Sequence, residues 1–148
     1  MKRYFKVISK YINSNINIPQ RQTKYSAGYD FEVAEDILIK PNEIVMVPTG
    51  IAAKFPHNEV LLIFPRSSLA IKKSLVLING VGVIDSDYFN SLNEGHIQFP
   101  LLNFSKEDVL LKKGERVMQG IFITYKKVSK ELLVNKARTN GFGSSDIK

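Results

Sequence analysis

Short apolar runs broken by turn signals recur along the whole chain, and this rhythm restricts the fold more than any other feature. Ile37–Ile39 precedes Lys40-Pro41-Asn42, Ile44–Val47 precedes Pro48-Thr49-Gly50, and Val60–Phe64 precedes Pro65. Leu75–Ile78 runs into Asn79-Gly80, Val81–Ile84 into Asp85, and Val109–Leu111 into Lys112-Lys113-Gly114, while Val117–Tyr125 is the longest strand-like run. Segments this short, about ten residues apart, read as the strands of a β-sandwich or barrel. No segment carries a long helical periodicity. One short helix is expected at Ser68–Lys73, with Ser67 as its N-cap. Asn79-Gly80 predicts a tight hairpin pairing Leu75–Ile78 with Val81–Ile84, because both turn residues tolerate positive φ. No repeat, low-complexity tract or linker divides the 148 residues, so residues 1–148 are expected to form one domain.

Composition removes several classes of function. With no cysteine, disulfides and thiolate metal sites are excluded, and His57 and His96 are too few for a histidine-rich centre. No apolar run approaches the ~20 residues of a membrane span. Met1–Ser14 mixes Lys2, Arg3, Lys6 and Lys10 with apolar residues and lacks the apolar stretch of a signal peptide. A cytoplasmic location without membrane attachment is therefore expected. The net charge of +7 fits either a polyanionic ligand or a solvated basic surface.

Five segments hold residues that can carry chemistry, and each alone admits two readings. In Ala27-Gly28-Tyr29-Asp30-Phe31, the carboxylate faces a cation or closes a turn, and the turn is the commoner use. In Pro65-Arg66-Ser67-Ser68-Leu69-Ala70, arginine and hydroxyls at a helix start make an anion site or a capped helix with a surface arginine. Between Asn79 and Tyr88, a hairpin tip offers main-chain groups to the edge of a flat base. The same segment puts Asp85 at the end of an apolar strand, either as a general base or as a strand cap. In Gly114–Gly120, Arg116 is more often an ion-pair member than a ligand contact, and Gln119 has both donors and an acceptor. Arg138-Thr139-Asn140-Gly141-Phe142-Gly143-Ser144-Ser145 can wrap a phosphate chain while Phe142 stacks on a base, or be a disordered end.

In this order and spacing the five segments resemble the five motifs of the trimeric dUTP pyrophosphatase (dUTPase) family, from about Tyr25 to Ser145. Gly82–Tyr88, Pro65–Ala70 and Arg138–Ser144 are the most specific parts. The resemblance implies an all-β, jelly-roll-like barrel or sandwich with one short helix. It implies a homotrimer in which a glycine-rich arm, about residues 136–148, closes over a neighbour's site. The implied reaction is Mg²⁺-dependent hydrolysis of dUTP to dUMP and pyrophosphate, limiting uracil incorporation into DNA and supplying dUMP. Asp85 would activate the water that attacks the α-phosphorus. Asn79 and the main chain of Val83, Ile84 and Asp85 would read uracil, and Tyr88 would pack under the deoxyribose. Arg66, Ser67, Ser68 and Gln119 would hold phosphates, as would Arg138, Gly143 and Ser144, with Phe142 stacked on uracil. Asp30 would reach Mg²⁺ through a coordinated water. No stable nucleic-acid binding is implied, while a regulatory protein partner stays open.

The chain also departs from the family pattern. Ser68 stands where glycine is common, Met118 where alanine is usual, and Asn140 and Asp146 replace glycines of the last motif. Residues 89–95 look like an enlarged loop. Within that region Glu94-Gly95-His96-Ile97-Gln98-Phe99-Pro100 is a little like the loop of the dCTP deaminases, which share the fold. Pro100 falls at their catalytic glutamate, however, and proline transfers no proton. A non-enzymatic binding or regulatory module on the same fold is the other alternative, and the presence of Asp85, Arg66, Tyr88, Arg138 and Phe142 favours the enzyme.

Overall fold

A computed structural model describes residues 2–132 and 135–143. Among them the strands are β1 (Tyr4–Val7), β2 (Tyr29–Glu32), β3 (Ile37–Ile39), β4 (Ile44–Pro48), β5 (Ile51–Lys54), β6 (Glu59–Pro65), β7 (Leu75–Leu77), β8 (Gly82–Asp85), β9 (Gln98–Asn103), β10 (Val109–Leu111) and β11 (Arg116–Thr124). Among the described residues a single α-helix, α1 (Ser67–Lys73), joins β6 to β7. Among the described residues no helix is long and apolar enough to cross a membrane.

Two antiparallel sheets make the body, one in the order β2-β11-β6-β8 and the other β4-β9-β7, with the pairs β1-β5 and β3-β10 beside them. Alternation sends one face of each strand inward: Leu61 and Ile63 of β6, Phe99 and Leu101 of β9, and Leu75 and Leu77 of β7 are all buried. The sheets meet where Phe31 of β2 packs edge-on against Phe99 of β9, with ring centroids 5.9 Å apart. This is the all-β, jelly-roll-like architecture with one short helix that the sequence implies.

Three local expectations are corrected. The Asn79-Gly80 hairpin does not form: β7 pairs with β9 in one sheet, and β8 pairs with β6 in the other. The turn is a corner between sheets, where the Val81 N–H donates to the Asn79 carbonyl at 2.8 Å around Gly80, whose φ of +74° suits glycine. Ser67 is the first helical residue and not the N-cap, which is Arg66 with extended backbone and no capping side chain. Asp30 lies in the middle of β2, opposite Gln119 of β11, and not in a turn.

Proline explains why β9 is hard to read as a strand. Pro100 sits in a three-stranded sheet opposite Met46, yet its carbonyl accepts from the N–H of Ile78, just past the end of β7. The N–H and C=O of a strand residue point to the same side. The missing donor therefore faces Ile78, just past the end of β7, and costs only the last hydrogen bond of that ladder.

Candidate active site

Strand β8 is the outer strand of its sheet as described, so the main-chain groups on one side have no strand partner. Beside it opens a cavity of about 270 Å³, walled by Asn79, Val83, Ile84 and Asp85 and by Gln98 to Pro100 of β9. Tyr88, Arg138, Gly141 and Phe142 complete it. The corner at Asn79-Gly80 matters here, because switching sheets places β7, β8 and β9 around one recess. The walls are largely apolar with few polar groups, the usual lining of a small-ligand site.

Tyr88 is almost fully buried on a 3-10 turn, Ser86–Asn90, that follows β8 directly. Its hydroxyl donates to the His96 carbonyl at 2.8 Å and accepts from Asn93 Nδ2 at 2.8 Å. Burial pushes this phenol above its ordinary pKa, against opposing effects from Asn93 and Arg138. Asp85, at the end of β8, is exposed. Arg138 bridges it to Asp87: Nη2 contacts Asp85 Oδ2, and Nε donates to Asp87 Oδ1 at 2.9 Å. On its other flank Asp85 borders a recess shared with His57, Ser86, Asp87, Tyr125 and Lys127.

The described part of the arm lies over the cavity of its own chain, where the resemblance implies a neighbour's. The Leu92 N–H donates to the Thr139 carbonyl at 3.0 Å, and Gly141 rests against Tyr88. Phe142 and Gly143 take positive φ at the tip, and Phe142 is largely exposed while still lining the opening. Ser144 lies outside the described residues, as does Asp146.

The remaining residues singled out from the sequence gather elsewhere. Asp30 is 9% exposed and sits between Arg66 Nε at 3.6 Å and Arg116 Nη1 at 3.5 Å. Its Oδ2 is buried without a hydrogen bond, so the guanidiniums balance its charge without satisfying that oxygen. Gln119 lies opposite Asp30 in the ladder, and its Oε1 is so close to Gly28 that a Cβ there would come within 2.7 Å. Ser67 and Ser68 open α1 directly after Arg66. Arg116 is the ion-pair member that the sequence favours.

One chain does not bring the two groups together. Asp85 pairs with Val60 at one end of β6, and Arg66 follows the other end. Six residue steps lead from Val60 to Arg66, about 20 Å at ~3.3 Å per step. That separation keeps the two side chains from meeting within one chain. The structure also brings in Gly141 and Asp87, given no individual role by the sequence although they lie inside recognised motifs, and Asn93, which lies beside one.

A family model described as dUTPase matches residues 14–146. A deoxyuridine 5'-triphosphate nucleotidohydrolase of Lactococcus lactis is 49% identical over 145 residues, 97% of each chain. The crystal structure of a Streptococcus mutans dUTPase superimposes with a TM-score of 0.82 at 46% identity, covering 86% of this chain and 99% of that one. A mutant dUTPase from phage phi11 of S. aureus, which coordinates a structural Mg(II) ion, shares the fold at 20% identity. Its TM-score is 0.74, over 90% of this chain and 97% of that one. Because the family match runs through both sheets, the edge-strand cavity and the arginine-flanked aspartate alike, the chain belongs to the dUTPase family.

Proposed function

We propose that this chain is a dUTP diphosphatase, converting dUTP and water to dUMP and pyrophosphate at sites shared between subunits of a homotrimer. The observation that carries the reading is the position of Asp85, an exposed carboxylate at the mouth of a flat, mostly apolar cavity beside an edge strand. A uracil ring presents alternating donors and acceptors along one edge, and the main-chain groups of Val83 to Asp85 that face away from β6 offer the complement. The Asn79 side chain borders the same edge, and the narrow corner excludes a 5-methyl group. Tyr88 forms the floor under the deoxyribose, leaving no room for a 2′-hydroxyl, and Phe142 closes over the base.

Asp85 holds the attacking water and takes its proton as the oxygen closes on the α-phosphorus. The leaving pyrophosphate departs along the phosphate chain, gripped by Arg66, Ser67, Ser68 and Gln119 of a neighbouring subunit. Arg138 is committed to Asp85 and Asp87 in this arrangement. On the reaction path it exchanges those carboxylates for a terminal phosphate, with Gly143 and Ser144 beside it. The stretch 136–143 is then the part of an otherwise single domain that shifts with the substrate.

Sharing between subunits follows from the separation of Asp85 and Arg66 along β6. A second feature supports it. On the outer face of the β4-β9-β7 sheet, Ile44, Met46, Val76 and Ile78 are all more than a third exposed, with Leu102 and Pro100 between them. A solvated antiparallel face is ordinarily polar. A contiguous apolar one marks a place where another copy packs.

Mg²⁺ fits as a partner of the phosphates more than of the protein. Asp30 offers an oxygen without a hydrogen bond, but two arginines flank it, so it suits a contact through a coordinated water and not direct ligation. Bound there, Mg²⁺ shields the phosphate charge and polarises the bond to the leaving group. We place the enzyme in the cytoplasm, where it keeps dUTP from DNA synthesis and supplies dUMP.

The test is product analysis with dUTP, dCTP, dTTP and UTP in the presence of Mg²⁺. Pyrophosphate from dUTP alone supports the reaction and both specificities. Ammonia from dCTP, a reaction for which Pro100 leaves no acid, or silence with all four nucleotides, overturns it.

A further inference from the structure

The enlarged stretch 89–95 is folded back onto Tyr88. Asn93 sits at its centre and uses both ends of its amide. Nδ2 donates to the Tyr88 hydroxyl at 2.8 Å, while Oδ1 accepts from the Gly95 N–H at 3.2 Å and lies 2.7 Å from Ser91 Oγ. The Ser91 hydroxyl also lies 2.6 Å from the Tyr88 carbonyl, so its one proton is shared between two acceptors. The Ser91 N–H donates to that same carbonyl at 3.0 Å. The turn closes so tightly at Gly95 that a Cβ would come within 2.7 Å of Phe89 Cα and 2.9 Å of the Tyr88 carbonyl.

These contacts fix Tyr88 at both ends. Its carbonyl is held by Ser91, and its hydroxyl has one donor role, filled by the His96 carbonyl, and one acceptor role, filled by Asn93. A buried phenol with both roles filled cannot slide along its long axis without leaving a polar group unpaired. The ring that lines the cavity is thereby set to a fixed height.

We propose that Asn93 is a positioning residue for sugar discrimination, holding the Tyr88 ring at the height that admits deoxyribose and rejects ribose. This rests on the reading of Tyr88 as the floor beneath the sugar. The stretch 89–95 is, on this account, a brace for that floor. The same loop ties down the arm through Leu92 and Thr139. Loosening the arm acts on dUTP and UTP alike, so it cancels in the ratio of their kcat/KM values.

The experiment measures that ratio for the full-length enzyme and its Asn93→Ala, Tyr88→Phe, double and Tyr88→Ala variants. Asn93→Ala is expected to lower the preference for dUTP about tenfold, the effect of one buried hydrogen bond. Tyr88→Phe, which leaves the Asn93 contacts to Ser91 and Gly95 in place but also gives up the bond to the His96 carbonyl, is expected to lower it at least as much. The double variant should lose no more than Tyr88→Phe alone, since that variant already lacks the contact with Asn93. Tyr88→Ala should lose the most. An Asn93→Ala enzyme with unchanged preference, or a double variant whose losses add, overturns the proposal. If Asn93→Ala does not fold, Tyr88→Phe decides alone, and unchanged preference there overturns it equally. Loss of preference in Tyr88→Ala without loss in the others leaves Tyr88 as the floor and removes Asn93. No change in any variant removes both.

Discussion

Gly141 rests against Tyr88 so closely that a Cβ at position 141 would lie 2.8 Å from Cε2 and 3.3 Å from the hydroxyl oxygen. Tyr88 is braced from below, so the ring cannot give way, and the arm must. Gly141→Ala is therefore expected to lift the arm and raise KM for dUTP about tenfold, on the scale of a tight overpacking. Because the clash lies outside the main core, Tm should fall little. Steady-state kinetics with a thermal melt checks this, and an unchanged KM contradicts the seating of the arm.

Asp85→Asn keeps the shape of the site and removes the base. Turnover should fall about 10²- to 10⁴-fold, with dUTP binding and assembly retained. Binding is measured by calorimetry on the variant, and near-normal turnover would take the proton-accepting role away from Asp85.

His96 gives the protein a pH dependence outside the reaction. It is 6% exposed, accepts from the Gly50 N–H at 3.0 Å through Nε2, and packs against Tyr11. Burial, followed by the nearby charge of Lys10, lowers its pKa from 6.5 to about 4, against the opposing charges of Glu35 and Glu94. The folded state thus resists a proton that the unfolded chain accepts. The stability from neutral His96 is complete above pH 6.5 and is lost as pH falls from there toward 4, about 3 kcal/mol in all. His96→Gln, whose amide oxygen can accept from Gly50, should flatten part of that slope in urea titrations between pH 7 and 4.5. An unaltered slope would put the acid sensitivity elsewhere, as at Glu59, whose pKa is held low by Arg3.

The outer face of β4-β9-β7 should be sensitive to charge. Met46→Lys places an ammonium among Ile44, Val76 and Ile78 and is expected to shift the assembly toward monomers by analytical ultracentrifugation. Turnover should be lost in proportion. A fully assembled and active Met46→Lys enzyme would exclude this face from the interface.

The sequence made some of this legible and hid the rest for physical reasons. Runs such as Ile37–Ile39, Val60–Phe64 and Val109–Leu111 are strands as expected, because alternation and turn residues are local signals. Asn79-Gly80 is a turn as expected, but which strands it joins is decided by non-local pairing with β6 and β9, which no dipeptide encodes. Asp30 read as a turn residue because aspartate favours turns; its place in β2 depends on β11, and its two arginines come from distant segments. Pro100 obscured β9, since the reason a proline is tolerated there is the point at which β7 ends. The motif residues were visible singly. Their division into a base-reading group and a phosphate group was not, because it follows from the direction of β6.

The division between Asp85 and Arg66 is the centre of the account, and subunit mixing tests it most directly. Asp85→Asn and Arg66→Ala enzymes, each nearly inactive, are unfolded together, refolded and assayed for pyrophosphate release from dUTP. If each site takes its base from one subunit and its phosphate grip from another, mixed trimers contain sites with both residues intact, and activity returns well above either parent. If both residues serve the same site from one chain, no mixed trimer contains an intact site. Activity would then stay at the level of the parents, contradicting the shared site.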